Sequence, residues 1–151
     1  MPLLDVFIDQ RVEEVVIPAE NKIQLWAQAA YLEDSKTTVS ISIVDEVESR
    51  SLNWRYREKD SATNVLSFPM DLPAEVPDSM LGDLILCAAI IEQEAREQHK
   101  TLDAHWAHMV VHGMLHLQGY DHIQEAAAMQ MEALERDILA DLGIADPYTI
   151  P

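Results

Sequence analysis

Six histidines fall between His99 and His122, and the last three stand in the run HGMLHLQGYDH, His112 to His122. Residues i and i+4 of a helix share one face, so a helix through His112 and His116 sets two imidazoles about 6 Å apart. Such a pair can share an ion at roughly 2.0–2.1 Å from each nitrogen. Gly119 permits a left-handed or otherwise tight turn that ends the helix, and the chain can then double back to bring His122 in as a third ligand. Any fold of this chain has to deliver a helix, a stop and a return within these eleven residues. Three neutral imidazoles leave a Zn2+ ion its full charge and an open coordination position, which is the arrangement of a catalytic rather than a structural centre. One Zn2+ ion is therefore the expected cofactor.

The spacing H-x-x-x-H-x-x-G-x-x-H is also that of the metzincin peptidases. Those enzymes carry a glutamate directly after the first histidine to take a proton from water. Here that position is Gly113, so the peptidase ligand pattern is present without the peptidase base. His105 and His108 lie on the same helix and read as packing or surface residues, with orientation of a ligand ring as the chemical alternative. Asp121 reads as a turn residue bonded to local backbone, and Cys87 as an inert buried thiol at the end of a strand.

Leu3 to Asp9 and Val39 to Val44 alternate apolar and polar, as strands with one buried face do. Pro18 opens a helix that runs to about Glu33. Asp45 is the expected N-cap of a second helix that enters the basic cluster beyond Trp54. Asn64 to Phe68 and Leu81 to Cys87 read as two more strands, joined by a loop through Pro69, Pro73 and Pro77 that is expected to be mobile. Ala88 to Lys100, Leu102 to Leu117 and Glu125 to Leu142 read as helices, the last closed by Gly143. The sum is an α+β domain with a small mixed sheet of about four strands covered by about five helices.

At 151 residues and 48% hydrophobic content the chain can bury a core as one domain spanning residues 1–151. Its one cysteine forms no internal disulfide, and MPLLDVFID resembles no export signal, so the expected compartment is the cytoplasm. The most apolar run, Leu84 to Ile91, meets Glu92 too soon to span a bilayer, so no membrane partner is expected. A net charge of −17 argues against generic affinity for nucleic acid, and no DNA partner is expected. Yet four of the ten basic residues, Arg50, Arg55, Arg57 and Lys59, fall within ten positions. They form either a solvated helix face balanced by Glu58 and Asp60 or one locally positive surface.

HGMLHLQGYDH, preceded by LDAHWAHMVV, resembles the signature of the YbeY family of bacterial endoribonucleases. LNWRYREKDSATNVLSFP, LGDLILC and the closing MEALERDILADLGIADPY fit the same family in the same order, over roughly residues 40 to 148. The resemblance implies that His112, His116 and His122 are metal ligands and that Arg57 is a functionally required arginine. It further implies hydrolysis of single-stranded RNA in ribosomal RNA maturation, notably at the 3′ end of the small-subunit RNA, and in ribosome quality control, with the small ribosomal subunit or its proteins as partners. The alternative is a ribosome assembly or binding factor with a structural metal and little nuclease activity. Ala62 stands where the family often has proline, which would loosen the loop near Arg57.

Overall fold

The computed structural model describes residues 2–13, 16–70, 80–121 and 123–148. Four strands and five helices follow in the order β1 (Leu4–Gln10), α1 (Glu20–Ala30), β2 (Thr37–Val44), α2 (Glu46–Arg57), β3 (Val65–Pro69), β4 (Met80–Cys87), α3 (Ala88–Glu97), α4 (Leu102–Leu117) and α5 (Glu125–Asp141). The sheet order is β1-β2-β4-β3. β1, β2 and β4 run parallel, with Val6 opposite Val39 and Ile41 opposite Leu84, while β3 is antiparallel to β4, with Leu66 opposite Ile85. It is the mixed sheet of an α+β domain.

Alternation places Val39, Ile41, Ile43, Leu84 and Leu86 wholly out of water, against the layer that contains α4. That helix is apolar on nearly every side, buried from His105 to Val111 and again at Gly113 to Leu115, as a central helix must be. It packs on α1, α3, α5, β3 and β4. α2 lies over the other face of the sheet, where its Ser49 side chain sits beside the Cys87 thiol. Burial pushes that thiol's pKa up, so it is the inert cysteine expected.

Local signals explain the ends of the elements. Asp45 caps α2, accepting from Glu48 N at 2.8 Å, and Thr101 caps α4, accepting from Ala104 N at 3.1 Å. α4 ends in a Schellman turn: Gly119 N donates to His116 O at 3.0 Å and Tyr120 N to Leu115 O at 3.1 Å. Gly119 takes φ +98° there, which is where a glycine is needed. Four bounds differ from expectation. α1 begins at Glu20 rather than Pro18 and closes before Glu33. α3 stops short of Lys100 because His99 turns left-handed at φ 55°. Pro69 belongs to β3, an edge strand that tolerates a residue without an N–H. The rest of the proline loop expected to be mobile, residues 71–79, lies outside the described residues.

Gly113 lies at a close approach of α4 to the sheet. A Cβ there would stand 2.8 Å from Leu84 Cδ2 and 3.2 Å from Val65 Cγ2. The position that carries the base in the peptidases is thus pressed against two core side chains and has room for none of its own. Gly113→Glu, which would complete the peptidase pattern, is expected to destabilise the fold by about 3 kcal/mol or more through overpacking and a buried carboxyl. Urea unfolding followed by circular dichroism checks this, and no peptidase activity is expected to appear.

Candidate metal centre and substrate cavity

His112 and His116 project from α4 one turn apart, with ring centroids 4.7 Å from each other and planes at 79°. Both line a cavity of about 570 Å3, whose far wall carries Asn53, Arg57, Lys59 and Ser67. The cavity lies at the open edge of the sheet, where β3 separates the end of α2 from α4. Arg57 is held there by two contacts: Nη2 donates to Ser67 O at 2.8 Å, and its guanidinium carbon lies 5.2 Å from the centre of the Phe68 ring. His122 lies outside the described residues.

The loop that follows Arg57 is tied back to α2. Glu58 turns left-handed at φ 58°, and Asn53 Nδ2 then donates to Ser61 O at 2.8 Å. Arg50 clasps Asp60 with two hydrogen bonds of 2.6 and 3.0 Å, and Ser49 Oγ both donates to Thr63 O and accepts from Thr63 N, each at 3.0 Å. Ala62 therefore sits in an anchored loop rather than a loosened one. Of the basic cluster, Arg50 is the member neutralised by an acid, while Arg57 and Lys59 face the cavity.

Behind His112 stands Glu135 of α5, with no solvent exposure. Its Oε1 lies 2.5 Å from His112 Nδ1, and its Oε2 accepts a hydrogen bond from the Tyr148 hydroxyl. Burial alone would raise the Glu135 pKa, but His108, His112 and Tyr148 together outweigh it and hold the carboxyl at about 2. His108 acts through space, since its Nε2 is 3.8 Å from Oε2, beyond hydrogen-bond range, and 3.3 Å from the Tyr148 oxygen. Burial first, and then Glu135, push the Tyr148 phenol up. Because Glu135 is ionised at neutral pH, it accepts the hydrogen bond from His112 Nδ1, and Nε2 is the ring nitrogen directed away from the carboxylate. The donor chemistry fits a metal ligand facing the cavity.

Among the described residues, His108, His112 and Glu135 also form a group that can hold a metal ion, their ligand atoms lying within 4.8 Å of one another. Both Glu135 oxygens are already engaged by His112 and Tyr148, however, so the carboxylate serves as a brace for the imidazole. His105 is turned from the cavity, bonded to Glu94 at 2.9 Å, with burial lowering its pKa against the pull of Glu94. Asp121 Oδ1 accepts from Ile123 N at 3.2 Å, the backbone role expected of a turn aspartate. Neither Glu135 nor Tyr148 was among the sequence candidates. The signal for Glu135 was present: with Met131 and Ile138 it falls on the buried stripe of α5.

This arrangement can hold a cation at its imidazole end and an anion at its guanidinium end, which suits a phosphate ester lying between them. The sequence profile of the endoribonuclease YbeY family matches residues 7–143. Proteins named endoribonuclease YbeY are similar at 56% identity in Stutzerimonas stutzeri (87% of this chain, 83% of the relative), 53% in Cellvibrio japonicus (96% and 82%) and 51% in Pseudomonas putida (92% and 90%). The chain belongs to the endoribonuclease YbeY family. Its fold is similar to the solution structure of a protein from Thermotoga maritima, with a TM-score of 0.58 at 23% identity over 95% of this chain and 99% of the other. No helix among the described residues is long and apolar enough to cross a membrane.

Tyr148→Phe removes a donor from a buried carboxylate and is expected to cost roughly 1–3 kcal/mol of stability, read from urea unfolding at pH 7. The folded-state value of about 2 for Glu135 lies below its unfolded value. Its contribution is therefore complete above about pH 4.3 and is lost as pH falls toward 2, so the deficit of Tyr148→Phe shrinks in acid.

Proposed function

We propose that this chain is a Zn2+-dependent endoribonuclease that cuts single-stranded RNA in the cytoplasm, maturing the 3′ end of small-subunit ribosomal RNA and serving ribosome quality control. The observation that carries the reading is the shared cavity of Arg57, His112 and His116 in a chain of this family. His112, His116 and His122 are the proposed ligands. They would hold the ion, and the chemistry that it would supply there is that of a Lewis acid toward a phosphate oxygen.

The chain's own groups do the rest. Glu135 accepts a hydrogen bond from His112 Nδ1 and so orients the ring with Nε2 pointing away from the carboxylate. Arg57, with its guanidinium set by Ser67 O and the Phe68 ring, takes two phosphate oxygens in its fork and balances the charge that grows as a P–O bond breaks. Lys59 adds a second cation to the same wall. Attack by the RNA's 2′-hydroxyl leaves a 2′,3′-cyclic phosphate, whereas attack by water leaves an open one; the product ends distinguish the two.

Cleavage of a single-stranded RNA spanning the small-subunit 3′ end tests the proposal, with His116→Ala purified identically as the control. Wild type is expected to cut, and His116→Ala to lose both cutting and bound zinc. Arg57→Lys keeps the charge but not the fork, and is expected to lower kcat on the order of 100-fold. Equal cleavage by wild type and His116→Ala would sink the assignment.

A second reading, an assembly factor with a structural metal, is favoured by the net charge of −17, since an acidic chain needs a protein contact to approach RNA. A protein of the small subunit is the proposed contact under either reading. Removing metal with a chelator separates them: the nuclease keeps its melting temperature within a few degrees because its core is apolar and continuous, and the assembly factor unfolds.

A further inference from the structure

We infer that Tyr56 and Phe68 form a subsite that stacks an unpaired nucleobase of the RNA strand whose phosphate lies beside Arg57. The inference rests on the reading of the cavity as an RNA site and names how the strand is gripped next to it. Tyr56, near the end of α2, is 56% exposed, and its ring meets Phe68 of β3 edge-on at 5.2 Å and 61°. Phe68 is in turn covered by the Arg57 guanidinium, which also lines the cavity. The aromatic pair therefore continues from the cavity wall without a break, and among the described residues the Tyr56 hydroxyl has no hydrogen-bond partner. The Tyr56 ring is thus held beside a cation and left open to solvent, with the half-buried Phe68 backing it.

Charge selects the occupant. Of the ten lysines and arginines, Arg11, Lys22, Arg50, Arg96 and Arg136 are ion-paired to carboxylates. Three of the other five, Arg55, Arg57 and Lys59, are consecutive alternate residues at the end of α2. In a chain of net charge −17, this end of the helix is where cations with no carboxylate partner among the described residues coincide with the open Tyr56 ring. Stacking platforms flanked by cations are how single strands are held without regard to sequence, because every base offers a π face. Duplex RNA, whose bases are already stacked, cannot use such a platform.

The test moves one abasic nucleotide stepwise along a short single-stranded RNA and measures KM and kcat for wild type, Tyr56→Ala, Tyr56→Phe and, as an off-site control, Trp54→Ala. Wild type is expected to lose on the order of tenfold in kcat/KM at one abasic position, through KM. Tyr56→Ala is expected to show that loss already on intact RNA and none beyond it at that position. Tyr56→Phe and Trp54→Ala are expected to keep the wild-type profile. If Tyr56→Ala keeps the wild-type profile too, the rings serve another occupant, such as a protein, and the subsite is wrong. Failure of wild type to cut any of these RNAs would overturn the nuclease reading and the subsite with it.

Discussion

A carboxylate taken wholly out of water survives only among donors, and Glu135 finds them on two separate parts of the chain. Tyr148 reaches it from the segment after α5, and His112 reaches it from α4. The same contact does two things. It docks the C-terminal helix against the central one, and it sets the orientation of the His112 ring by engaging Nδ1. Structural support and ligand chemistry are thus one interaction.

The position of α4 follows from the sheet as much as from α5. Gly113 lets the helix settle onto Leu84 and Val65, and the Schellman turn at Gly119 stops it at Leu117, with Gln118 as its C-cap. His116 is thereby held level with the edge strand β3, across from the end of α2. Because β3 is the edge strand, no further strand lies beyond it to part Arg57 on one face from the histidine pair on the other. Two layers that would be separated by any further strand share a single cavity here.

The elements were legible in the sequence because each carries its own period and its own ends: TVSISIV alternates, Asp45 and Thr101 cap, and Gly119 and Gly143 close. The placing of His112 and His116 one turn apart on one helix was legible for the same local reason. Arg57 stood out from its basic neighbours only by family resemblance, since a charge run on a helix says nothing of which member meets a cavity. Glu135 was missed because a glutamate in an amphipathic helix is normally counted to the solvent face, although its spacing from Met131 and Ile138 puts it on the buried one. Tyr148 carries no local signal at all, because its partner exists only once α4 and α5 have met.

The surplus of acid over base also governs how this molecule meets RNA before any contact is made. At physiological ionic strength the Debye length is about 8 Å, so an approaching strand senses the cations at the end of α2 only when nearly in place. At greater distances it senses the net negative charge. Removing salt lengthens the reach of the repulsion more than that of the small positive patch, so encounter with free RNA slows as ionic strength falls, the reverse of the usual behaviour of nucleic-acid-binding proteins. Selectivity of this kind is kinetic, since it acts on the rate of encounter rather than on the contacts made afterwards.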